Sequence, residues 1–149
     1  MIAVDTNILV AFHRMEYACH PAAVEAVTSL AEGAARWAIP WPCVHEFTAV
    51  VTNSRIFTHP TEPETAVAVM DALMASPSLT LIGEGEGSGY WETARDLILQ
   101  GGITGARVHD ARIAAICLQH RVRCLWTADR DFSRFPALKC RNPLVGTIN

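Results

Sequence analysis

Long apolar runs are missing from this 149-residue chain: its apolar stretches are broken by His, Arg or Glu well short of the roughly 18–20 residues a membrane-spanning helix needs. A helical membrane protein is excluded. The first ten residues, MIAVDTNILV, carry an acid at position 5 in place of a basic leader region, and no small-residue cleavage site follows, so a cytoplasmic protein is expected. Cysteine is sparse. Cys19, Cys43, Cys117, Cys124 and Cys140 are odd in number and contain no C-x-x-C pair, which argues against a disulfide framework and against structural zinc. Lysine is nearly absent, Lys139 being the only one, and no repeat, low-complexity tract or linker divides the chain. One domain over residues 1–149 is expected, and with half of its residues apolar it can bury its own core.

Charge is present but unevenly spread. Residues 1–94 hold three basic side chains against eleven acids, a balance of −8, whereas residues 95–149 hold nine against four, a balance of +5. The positive segment is either an ordinary solvated face or a surface that meets phosphate, for which arginine suits both geometry and charge.

Ile2-Ala3-Val4 reads as a short buried strand stopped by the polar Asp5-Thr6-Asn7, after which Ile8 to Phe12 begin a helix. Ala23, Val24, Val27, Leu30 and Ala31 recur at helical spacing and predict a helix over about 21–33. Trp37-Ala38-Ile39 predicts a strand, and Pro42 the first turn of a helix with Cys43, Phe47, Val50 and Val51 inward and its end near Asn53. A helix opening at Thr61 to Glu64 turns Val67, Met70, Leu73 and Met74 inward and stops before Pro77. Leu79 to Ile82 is the next strand. Gly83 to Gly89 looks like a phosphate loop, but it lacks the G-K-[ST] ending and carries two glutamates, so a plain connection is expected. Helices over 90–100 and 107–120 follow, then a strand over 124–126 stopped by Thr127-Ala128-Asp129. Strands alternating with helices predict an α/β fold with a parallel sheet between helix layers.

In such sheets the working groups gather beyond the carboxyl ends of the strands. Asp5 and Asp129 occupy that place, Asp110 opens a late helix, and Glu46 borders an apolar helix face. Taken singly, each has an ordinary reading: turn or cap residues, a complement to a helix dipole, an exposed edge. Taken together, four converging carboxylates would repel one another unless divalent cations neutralised them. Oxygen ligands without paired His or Cys select Mg²⁺ or Mn²⁺, and the chemistry that suits them is phosphodiester hydrolysis by a metal-activated water. Arg107, Arg112, Arg130 and Arg134 flank the third and fourth acids and would offer a track for phosphates. His109 reads as a helix-end residue, and Trp41, Trp91 and Trp126 read as core.

Asp5-Thr6-Asn7 after a three-residue strand, Glu46-Phe47, His109-Asp110-Ala111 and Leu125-Trp126-Thr127-Ala128-Asp129-Arg130-Asp131-Phe132 together resemble a PIN domain. Ile39-Pro40-Trp41, Arg134-Phe135-Pro136 and Asn142-Pro143-Leu144 bring the chain nearest to the VapC ribonuclease toxins of bacterial toxin–antitoxin pairs. The resemblance implies a three-layer α/β/α sandwich with a mainly parallel sheet, and Mg²⁺- or Mn²⁺-dependent endoribonuclease activity. It also implies a VapB-like antitoxin partner, a homodimer, and operator DNA met only through the antitoxin. Carried over residue by residue, Asp5, Glu46, Asp110 and Asp129 match the family's metal-binding acids, with Asp5 and Asp110 foremost, and Asn7 and Thr127 match polar positions that orient the acids or the phosphate. Asp131 either assists the site or caps its turn, and the cap is the preferred reading.

Haloacid-dehalogenase-type phosphatases also place an acid after the first strand, but need a second acid where Asn7 stands and a lysine in a motif that Lys139 lacks. Receiver domains fail similarly. The remaining alternative is a catalytically weak PIN-fold binding module acting as an antitoxin-bound co-repressor, in which the helices 21–33 and 63–74 would cradle a partner helix.

Overall fold

The computed structural model describes residues 1–85 and 89–146; Glu86, Gly87 and Ser88 of the glycine-rich connection lie outside the described residues. Five strands form one sheet: β1 (Ile2–Val4), β2 (Trp37–Pro40), β3 (Leu79–Ile82), β4 (Cys124–Trp126) and β5 (Cys140–Arg141). Their order is β3-β2-β1-β4-β5 and every pairing is parallel. Strands buried on both faces need continuous apolar runs, and Ala3, Val4, Trp37, Ala38, Ile39 and Leu125 are fully buried.

Six helices complete the fold: α1 (Thr6–His13), α2 (His20–Ala31), α3 (Trp41–Val51), α4 (Pro63–Met74), α5 (Tyr90–Gly101) and α6 (Val108–Gln119). Helices α1 to α4 pack on one another and α5 packs on α6, giving the three-layer α/β/α arrangement. The first turns of α2, α3 and α4 each contain a proline, which costs nothing where the amide has no intrahelical partner. Helix α5 ends at Gly102, whose φ of 56° is left-handed, the usual glycine stop.

The apolar faces of α2 (Ala23, Val27, Leu30) and α4 (Ala66, Met70, Leu73) are buried, so neither forms a vacant groove for a partner helix. Val67, expected inward, is 52% exposed, because Ala66, Met70 and Leu73 define the core stripe and Val67 falls about 100° away from Ala66. Trp126 is buried as expected, whereas Trp41 and Trp91 are 41% and 61% exposed. No helix among the described residues is long and apolar enough to cross a membrane.

The chain runs outward from β1 to β2 and β3, then returns to place β4 and β5 on the other side of β1. This reversal between β1 and β4 opens a crevice at their carboxyl ends.

Candidate active site

Asp5 sits at that reversal. Its backbone N–H donates to the Trp126 carbonyl at 3.0 Å, extending the β1–β4 ladder by one rung and delivering Asp5 and Thr127 to the same place. Asp5 caps α1: Oδ1 accepts from the Thr6 N–H at 2.8 Å, and Oδ2 accepts from Asn7 Nδ2 at 2.7 Å and Thr127 Oγ1 at 2.6 Å. The Cys43 thiol approaches Oδ1 at 3.7 Å. Only 4% of Asp5 is exposed, and burial raises its pKa, with the nearby Glu46 charge adding to the rise and the Thr127 and Thr6 hydrogen bonds opposing it.

Asn7 ties the β1 and β4 turns together. Its Nδ2 also donates to Thr127 Oγ1 at 3.1 Å, while its Oδ1 accepts from the Ala128 N–H at 2.8 Å. Thr127 Oγ1 accepts from the Asp129 N–H at 3.0 Å, so its one hydroxyl donates to Asp5 and accepts from Asn7 and from Asp129. Asp129 then caps a 3-10 turn over Arg130–Arg134 by accepting from the Asp131 N–H at 2.8 Å. The capping residue is therefore Asp129. Asp131, expected to cap, instead faces Arg107 at 3.3 Å.

Glu46 projects from α3 and accepts a hydrogen bond on Oε2 from Thr6 Oγ1 at 2.7 Å. Thr6 escaped the sequence reading. A hydroxyl beside the capping acid was visible, but a partner 40 residues away was not. Asp110 lies in the first turn of α6, and its pKa is raised to about 6, first by burial, then by the charges of Asp129, Asp5, Glu46 and Asp131.

Asp5, Glu46, Asp110 and Asp129 line one cleft of about 330 Å³ together with Thr6, Asn7, Val10, Tyr17 and Val50. Oxygens of Asp110, Asp129 and Asp131 lie within 4.8 Å of one another, close to the ~4.2 Å between opposite ligands of a cation bound at ~2.1 Å. No basic side chain lines the cleft. An all-oxygen donor set of clustered carboxylates fits a hard divalent cation.

The residues matched by the PIN domain model are 2–138. VapC ribonuclease of Mycobacterium bovis and ribonuclease VapC43 of Mycobacterium tuberculosis are each 36% identical over 98% of this chain and 97% of their own length. The chain belongs to the PIN domain family, among the VapC ribonucleases. VapBC2 from Rickettsia felis, solved bound to a promoter DNA fragment, shares the PIN fold with a TM-score of 0.68 at 22% identity, covering 95% of this chain and 98% of that one. VapC20 of Mycobacterium tuberculosis, a sarcin-ricin loop cleaving toxin, does so with a TM-score of 0.65 at 20% identity over 89% and 93%.

The expected phosphate track is divided in this PIN domain. Arg107 is paired with Asp131 and Arg112 with Glu84, while Arg130 and Arg134 are exposed beside the Asp129 turn.

Proposed function

We propose that residues 1–149 act as one nuclease domain, a metal-dependent endoribonuclease that is the toxin of a type II toxin–antitoxin pair and works in the cytoplasm. The observation that carries this reading is the gathering of Asp5, Glu46, Asp110 and Asp129 at one cleft, in a chain whose relatives are named ribonucleases. Mg²⁺, with Mn²⁺ as substitute, is the cofactor this donor set fits. The bound ion would be held by Asp110 and Asp129 with Asp5 and Glu46 completing the set, and it supplies acidity to water and positive charge to the phosphate.

The chain's own residues account for the rest. Thr6 N–H, Asn7 and Thr127 fix both oxygens of Asp5, so this buried carboxylate presents a set orientation to the cleft. Thr6 holds Oε2 of Glu46 and would leave Oε1 as its donor atom to the bound ion. Hydrolysis in line leaves a 5′-phosphate and a 3′-hydroxyl, and no side-chain nucleophile is required.

A VapB-like antitoxin is the protein partner, supported by the toxin–antitoxin complexes among the fold's neighbours, and operator DNA is reached through it. Met15, Ile56 and Val67 are each more than half exposed, and Tyr17, also exposed, lines the cleft, so apolar surface is open to a partner segment. The five free cysteines fit a reducing compartment. The deciding experiment is digestion of total cellular RNA by partner-free protein with Mg²⁺, with Mn²⁺ and with EDTA. Discrete fragments that need metal and disappear in Asp110→Asn are expected; their absence in every condition would turn the reading toward the antitoxin-bound binding module.

A further inference from the structure

The cations absent from the acidic cleft reappear at the opposite end of the sheet. Arg36 immediately precedes β2, Arg123 precedes β4 and Lys139 precedes β5. Strand register sets Arg36 and Arg123 level with each other on either side of β1, with the Arg123 N–H donating to the Met1 carbonyl at 2.8 Å and the Leu125 N–H to the Lys139 carbonyl at 2.9 Å. Two inter-strand spacings separate Arg36 from Arg123 by about 10 Å, and Lys139 lies one residue further along, level with Cys124. Beside this row lies a hollow of about 630 Å³ lined by Arg36, Thr80, His120, Arg121 and Arg123 among apolar residues, and by no carboxylate. None of Arg36, Arg121, Arg123 and Lys139 forms an ion pair among the described residues. The Arg36 guanidinium donates only to the neutral Thr80 Oγ1, at 3.1 Å.

Arg121 adds an independent sign. It is the one non-glycine residue with positive φ, 52°, among the described residues. Its place is the left-handed stop of α6, where the Arg121 N–H reaches the Leu118 carbonyl at 3.1 Å and the Val122 N–H reaches the Cys117 carbonyl at 2.9 Å. Glycine fills this position without strain, whereas an arginine there carries a backbone cost.

We propose that this end of the sheet is a second nucleic-acid contact, a platform on which Arg36, Arg121 and Arg123 hold two successive phosphates of an RNA strand whose cut site lies at the acids. The phosphate chemistry stands on these cations alone; naming the strand RNA rests on the ribonuclease reading. A backbone contact of this kind is read without regard to base and weakens steeply with salt.

The test is fluorescence anisotropy of a labelled 30-nucleotide single-stranded RNA in EDTA across 50–200 mM KCl, with wild type, Arg121→Gly, and the triple variant Arg36→Gln, Arg121→Gly, Arg123→Gln. The expected result is a slope of log affinity against log salt that is about 2 shallower in the triple variant, and an affinity at least tenfold lower at 50 mM, with cleavage of a tetranucleotide unchanged. Arg121→Gly alone should lower the slope by about 0.7 while raising Tm by about 2–4 °C as the strain is released. A triple variant with wild-type slope and affinity overturns the platform and leaves the arginines as partners of the α6 carboxyl-end dipole. If the triple variant loses binding but wild type cuts no RNA with Mg²⁺ or Mn²⁺, the platform stands and the ribonuclease reading falls.

Discussion

Asp110 stands among four other carboxylates, and its raised pKa of about 6 makes the metal-free protein sensitive to pH. A carboxyl whose pKa is higher folded than unfolded contributes stability below its ordinary value of 3.8, and that contribution is lost as pH rises through about 6. In EDTA, wild-type Tm should therefore fall between pH 5 and pH 7.5 more than that of Asp110→Asn, and a divalent ion should restore it at pH 7.5. Parallel scans of the two proteins by differential scanning fluorimetry check this, and equal slopes would refute it. With metal present, the same variant should lose about 10²–10³-fold in RNA cleavage, read from initial rates. Thr127 acts through Asp5. Thr127→Val keeps the shape but leaves a buried carboxylate one donor short, and urea unfolding should show a loss of about 1–3 kcal/mol.

At the level of elements, what could be read from the sequence was what local chemistry dictates. A three-residue apolar run ending in Asp5-Thr6-Asn7 is a strand, a turn and a helix cap at once, and the same logic placed Asp129 after β4. What could not be read depends on partners distant in the chain. Strand β5 is two residues, Cys140–Arg141, and exists because Leu125 and Trp126 pair with them; no apolar run announces it. The hydrogen bond from Thr6 to Glu46 spans 40 residues and has no signature in either segment. Helix periodicity also allowed two apolar stripes on α4, and only the neighbours decided between Ala66 and Val67. Helix α3 joins core to site, since Phe47 is fully buried beside Glu46. Phe47→Ala should cost about 3–5 kcal/mol and depress cleavage even at temperatures where the protein stays folded, whereas Val67→Ser should stay within about 0.5 kcal/mol of wild type. Chemical denaturation of both, with cleavage rates at 20 °C, separates an element that positions the acids from one that only covers them.

Across the whole molecule, acids collect beyond the carboxyl ends of the strands and unpaired arginines at their amino ends, so the uneven charge of the sequence becomes a polarity of the fold. A further asymmetry lies on α5. Trp91 and Leu99, about 80° apart around the helix, are 61% and 72% exposed, with Arg95 exposed between them. A second copy of the same helix is one cover such side chains could take, because a two-fold interface needs only one self-complementary patch. A homodimer closing through α5 would leave both acidic clefts uncovered, since α5 lines neither. Leu99→Arg places like charges opposite each other across that axis and should convert a dimer to a monomer in sedimentation velocity. Its far-ultraviolet circular dichroism and the metal-dependent rise in Tm should be unchanged, since α5 contributes no residue to the cleft. A variant that remains dimeric would place the two-fold axis on another face.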